Sequence, residues 1–187
     1  PAMRSYVAYE DRISPEMLRR KAADYLVAQG LFEIMNNSLT RAQAYEKHPS
    51  ITADSVVPIL NPLSQDLGVM RPSLMLGGLD AVSYNAKRQN ADVALFEFGR
   101  TYHKSAEGLS ERNALGLWLA GSYPGPHWMT GEAKINFFAL KGLVLGLCQR
   151  FGLNVEEQGM DAEGGEFAGG ILLTVGGQPL ASLGWVD

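Results

Sequence analysis

The sequence of 187 residues holds a single cysteine, Cys148, so no internal disulfide framework is open to it. A reducing, cytoplasmic setting is the expectation. It holds three histidines, His48, His103 and His127, widely separated and in no HExxH or paired CxxC pattern. Scattered surface histidines are expected, rather than a metal centre. Long hydrophobic runs are also absent. None approaches the ~20 apolar residues of a membrane-spanning helix, and no charged segment leading into an apolar stretch opens the chain. An excess of positive charge is missing too. Sixteen Lys and Arg stand against 20 Asp and Glu, a net charge of −4, whereas a free-standing nucleic-acid binder carries a basic footprint. No P-loop, no GxGxxG after a strand and no GxSxG elbow occurs. What remains is a globular composition, 46% hydrophobic and 19% charged, of a length that suits one domain. The chain starts at Pro1 and stops at Asp187, just past a strand-like stretch, which suggests a piece of a longer chain.

Residues 1–13 have no sustained period and read as a lead-in. Ser14-Pro15-Glu16 is a helix start, and Leu18, Ala22, Tyr25 and Leu26 follow at helical spacing up to Gly30. Leu31–Met35 reads as a buried strand. Residues 40–48 read as a short helix, and 55–60 as a strand at an edge because Pro58 lies inside it. A helix is expected from Pro72 to about Gln89, with Gly77-Gly78 inside it. Alternation in Ala94, Phe96, Phe98 and in Leu115, Leu117, Leu119 predicts two strands, 94–102 being central. Asn136 caps a helix whose seam is Phe137, Leu140, Val144, Leu147 and Phe151. Residues 159–170 read as a loop, and Gly176-Gly177 as the turn of a hairpin. The expected fold class is α+β, with about three long helices against one mostly antiparallel sheet.

Few residues carry chemistry. Glu33 and Glu97 sit in otherwise apolar strands. An inward carboxyl there is a candidate for acid/base work; the plainer expectation is an outward acid, or one paired to Arg71 or Arg100. Cys148 lies in a helical apolar run and reads as a buried, inert thiol. Arg19-Arg20-Lys21 and Lys87-Arg88 read as solvated helix faces. The reading from residues alone stops at a domain without a visible active site, which favours scaffolding or binding over catalysis.

Several segments carry a resemblance. Gly30-Leu31-Phe32-Glu33-Ile34 after a helix looks like motif 1 of class II aminoacyl-tRNA synthetases, with Asn37 about where that motif has proline. Asn61-Pro62-Leu63-Ser64, then Met70-Arg71-Pro72-Ser73-Leu74, then Asn85, then Phe96-Glu97-Phe98-Gly99-Arg100, resembles the bacterial phenylalanyl-tRNA synthetase beta subunit. So do Phe137-Phe138-Ala139-Leu140-Lys141-Gly142 and Leu183-Gly184. Gly77, Asn136 and the segment 164–170 depart from its usual proline, acid and His-Pro-Gly.

The resemblance implies a class II synthetase-like antiparallel sheet flanked by helices. Residues 1–13 would lead in from a preceding domain, and 14–187 would form a non-catalytic core module truncated at its C-terminus. It implies a role in phenylalanine–tRNA ligase, an assembly of two alpha–beta heterodimers that charges tRNA(Phe) using ATP and magnesium. The alpha subunit would hold the active site. This module would scaffold the assembly and help position tRNA, without cofactor, metal or catalytic residue of its own. The expected contacts with alpha, or with the second heterodimer, are Leu18, Arg19, Lys21, Ala22, Tyr25 and Leu26. Gly30, Glu33, Arg71, Ser73, Glu97, Gly99, Arg100, Lys141 and Gly142 are expected to be structural. No arginine stands in a motif 3 context, which counts against a class II-like acyl-adenylate-forming enzyme. The charge of −4 counts against a free-standing tRNA-binding accessory protein.

Overall fold

A computed structural model describes residues 14–46, 48, 50–123, 134–160 and 166–186. Helix α1 (Pro15–Ala28) begins where the Met17 amide donates to Ser14 Oγ at 3.1 Å, with proline in the first turn. Its stripe of Ala22 and Leu26 is buried. Gly30, at φ +88, then reverses the chain and drops Leu31 into the core at 2% exposure. Strand β1 (Phe32–Glu33) follows. A small antiparallel unit comes next, β2 (Leu39–Thr40), β3 (Val57–Pro58) and β4 (Val69–Met70), in the order β2-β4-β3. Helix α2 (Met75–Ala86) leads to β5 (Val93–Ser105) and β6 (Gly108–Ala120), a long hairpin in unbroken register. Helix α3 (Phe137–Arg150) is capped by Asn136 Oδ1, which accepts from the Ala139 amide at 3.0 Å. The third sheet is β7 (Glu156–Met160), β8 (Gly169–Val175) and β9 (Gln178–Trp185), with Gly176 and Gly177 at positive φ in the β8–β9 turn.

β5 positions everything else. It lies between β1, its parallel neighbour, and β6, its antiparallel one. Successive side chains leave opposite faces. Ala94 and Phe96 join Leu26 and Leu31 under α1 and Leu143 of α3. Val93 and Leu95 take the other face with Leu74 and Trp118, against Leu79 and Val82 of α2. A third cluster, Val144, Cys148, Leu173 and Leu183, seats the C-terminal sheet under α3.

Several expectations are corrected. There are three three-stranded sheets among the described residues, not one. Leu31–Met35 is not a buried strand: two residues pair, Phe32 is 72% exposed and Met35 93% exposed. The segment lies at a sheet edge, so only Leu31 finds an apolar neighbourhood. Residues 42–45 form a 3-10 turn rather than a helix over 40–48. α2 starts at Met75, not Pro72, and the Met75 amide donates to Ser73 Oγ at 3.1 Å in the turn that precedes it. β7 replaces the front of the expected loop over 159–170. It is a polar edge strand, and no apolar alternation announces it. Gly169 and Gly170 of that loop belong to β8, while 161–165 and His127 lie outside the described residues.

Candidate functional site

Four of the nine expected structural residues, Arg71, Glu97, Gly99 and Arg100 through its carbonyl, meet at one buried charge cluster. Glu97 is 1% exposed, on the α2-facing side of β5. Arg71, one residue past β4, sends Nη1 to Glu97 Oε1 at 2.6 Å and Nε to the Arg100 carbonyl at 3.0 Å. Nη1 also reaches the Asn36 carbonyl at 3.3 Å. Asn36 closes the cluster from the end of β1, its amide donating to Glu97 Oε1 at 3.2 Å and its Nδ2 to Oε2 at 2.7 Å. Backbone bonds run through the same place: the Arg71 amide donates to Ser38 O, and the Tyr102 amide to Arg71 O. Gly99 makes the geometry possible, because a Cβ there would overlap the guanidinium. Among the described residues no buried side-chain polar atom lacks a partner.

That arrangement resolves the two readings of Glu97. It is an inward acid, but one held by Arg71 as an ion pair, with both oxygens occupied by donors. Glu33 is the outward acid, paired to Arg19 at 3.0 Å. Arg100 pairs with Glu111 at 2.8 Å on the exposed side of the hairpin. Ser73 accepts the Met75 amide in the turn before α2, and Gly30 turns the chain after α1. Lys141 ties α3 to β7 through Glu157 at 2.6 Å, while Gly142 has open space around it. Asn36, the hub of the cluster, carries no sequence signal. Neither does Trp118, whose indole fills the room that Gly78 of α2 and Gly116 of β6 leave open.

The six residues expected at a partner divide. Ala22 and Leu26 are enclosed in the chain's own core and present nothing outward, which corrects that expectation. Tyr25 packs on Gly146 of α3, with the Arg150 guanidinium 5.2 Å from its ring centre. Leu18, Arg19 and Lys21 are exposed. Arg19 is fixed between Glu33 and the Phe98 ring, 5.1 Å from its centre. Met17 and Val27 are exposed on the same helix.

Among the described residues, the titratable groups with shifted pKa values lie on separate segments of the chain. Burial pushes the Cys148 thiol up, as expected of an inert one. Burial, and then the Arg112 charge, hold His103 below the usual imidazole range. Lys87 is exposed, and Arg88 stacks 3.4 Å over the ring of Tyr84. Among the described residues no three of His, Cys, Asp or Glu come together as a metal would need. Arg71 engages Nε and Nη1 within the chain. No helix among the described residues is long and apolar enough to cross a membrane.

Known proteins match this picture. Residues 5–187 match the family model described as the phenylalanyl-tRNA synthetase beta chain CLM domain. The phenylalanine–tRNA ligase beta subunit of Bacteroides fragilis is 40% identical over 147 residues, covering 74% of this chain and 18% of that protein. That of Bacteroides thetaiotaomicron is 36% identical over 180 residues, covering 90% and 22%. The chain thus spans about a fifth of the length of these relatives. Among solved structures, a pyrrolysyl-tRNA synthetase from Desulfitobacterium hafniense superposes with a TM-score of 0.63 at 21% identity, over 88% of this chain and 54% of that one. A second structure of the same kind gives 0.64 at 18% identity, which establishes a shared fold. This chain belongs to the phenylalanyl-tRNA synthetase beta chain CLM domain family.

Proposed function

We propose that the chain is a non-catalytic module of phenylalanine–tRNA ligase that helps hold the alpha and beta subunits together. The observation that carries this reading is the exposed apolar surface of α1 and β1. Met17, Leu18 and Val27 stand out on the helix, Phe32 on the edge strand and Met35 two residues past its end. Exposed apolar side chains on this helix and at the adjoining sheet edge are the surface on which a partner would be seated. β1 also has one open side among the described residues, since it lies at the end of the order β1-β5-β6. The buried charge cluster supports the non-catalytic half of the reading. An adenylate-forming site needs free cations where phosphate charge develops, and the one arginine buried among the described residues is bound to Glu97 and two carbonyls.

The test is a double change, Leu18→Asp with Met35→Asp. Both side chains are exposed, so the isolated chain keeps its melting temperature. Charged groups in a desolvated contact weaken assembly with the alpha subunit about tenfold or more, read by sedimentation at low concentration. An unchanged complex means that this surface is not the contact.

A further inference from the structure

We propose that His48 and Glu166 form a latch that holds the small β2–β4 unit onto the C-terminal sheet. The two residues are 118 positions apart, and His48 Nε2 lies 3.1 Å from Glu166 Oε1. The imidazole is 8% exposed, unlike the scattered surface histidine expected. Its orientation is fixed at both ends. The Ser50 amide donates to Nδ1 at 3.3 Å, so the neutral ring carries its proton on Nε2 and donates it to Glu166. The His48 amide closes a turn on the Tyr45 carbonyl at 3.1 Å, and the Tyr45 ring, itself buried, stands 6.1 Å away at a tilt of 44°. On the other side, Glu166 leads through Phe167 to Ala168, whose amide bonds the Trp185 carbonyl of β9 at 2.8 Å.

The pair matters because little else joins these parts. None of the three apolar clusters contains a residue of β2, β3 or β4. Arg71 ties that unit to β5 on one side. Among the described residues, His48–Glu166 is its one side-chain polar link to residues 156–186. The segment buries Tyr45, Val56 and Val69, and a charge-assisted bond from it to the C-terminal sheet adds to what a local opening must break.

Hydrogen exchange on the full-length protein tests the latch at the amides of Leu39, Ile59, Val69 and Met70. His48→Ala and Glu166→Ala each speed exchange there by about three- to tenfold, and the double variant is no faster than either single. His48→Gln keeps a donor near Nε2 and stays within about twofold of the parent. The amide of Leu26, in α1, serves as the control. The latch is refuted if Glu166→Ala leaves the four amides unchanged, if His48→Gln exchanges as fast as His48→Ala, or if Leu26 speeds up equally.

Discussion

At position 99 a hydrogen is the only side chain that leaves room for Arg71. Gly99→Ala displaces the guanidinium and strands Glu97 in the core, and losing one partner of a buried pair costs about 3–5 kcal/mol. Urea unfolding reads this directly; a loss under ~1 kcal/mol would show that the cluster relaxes around the methyl. Arg71→Met alone does similar damage, whereas Arg71→Met with Glu97→Leu recovers most of it, because removing both charges removes the desolvation cost as well. His103 supplies a pH dependence. Burial and Arg112 lower its folded pKa, so the unfolded chain binds the proton more readily. Its contribution is complete above the unfolded value of ~6.5 and is lost as pH falls below it. A parent and a His103→Gln variant should therefore diverge in melting temperature below about pH 6.5 and run parallel above it. The sequence offered Arg71 or Arg100 as a partner for Glu97, beside an outward placement, since a charge in an apolar strand must be paired or exposed. It offered nothing for Asn36, since an asparagine in a polar stretch is indistinguishable from any loop residue until the fold brings it to the carboxylate.

Elements with a strong internal period were legible before the fold. α1, α3 and the β8–β9 hairpin fall where caps, apolar spacing and glycine turns put them. β1 was read as a strand but as a longer, buried one, and β7 was not read at all, because edge strands are specified by their neighbour rather than by their own alternation. β7 reads Glu156-Glu157-Gln158-Gly159-Met160, with hardly an apolar side chain. The glycines of α2 looked like weak points in a helix. Gly78 instead sets how close the helix lies to the sheet, as a Cβ there would overlap the Trp118 ring. Gly78→Ala thus trades ~1 kcal/mol of helix propensity against a forced shift of α2 from β6, and overpacking of about 1–3 kcal/mol prevails. A lower melting temperature is expected, and Trp118→Ala should cost more, about 3–5 kcal/mol. If Gly78→Ala raises the melting temperature, the helix is not held at that distance by the indole.

At the scale of the whole molecule, the chain shares the fold of the pyrrolysyl-tRNA synthetases it superposes on, and the proposal that it is non-catalytic rests on how its core is filled. The α2-facing side of β5 and β6 is filled by Leu95, Trp118 and the Arg71–Glu97 pair, where a ligand-binding sheet would need open space and free donors. The consequence concerns the reaction. The isolated chain should give no phenylalanine-dependent exchange between ATP and pyrophosphate, while the assembled enzyme does. A chain that exchanges alone refutes the non-catalytic reading, provided that the activity survives removal of any contaminating synthetase. The complementary arm uses the assembled enzyme with Arg71→Met and Glu97→Leu together. If the cluster only builds the module, kcat and KM for ATP and phenylalanine per assembled complex stay within about twofold of the parent, because no group touching the reacting atoms has changed. A loss of a hundredfold or more in kcat at unchanged assembly, about 2.7 kcal/mol of transition-state stabilisation, would place Arg71 or Glu97 in the chemistry after all.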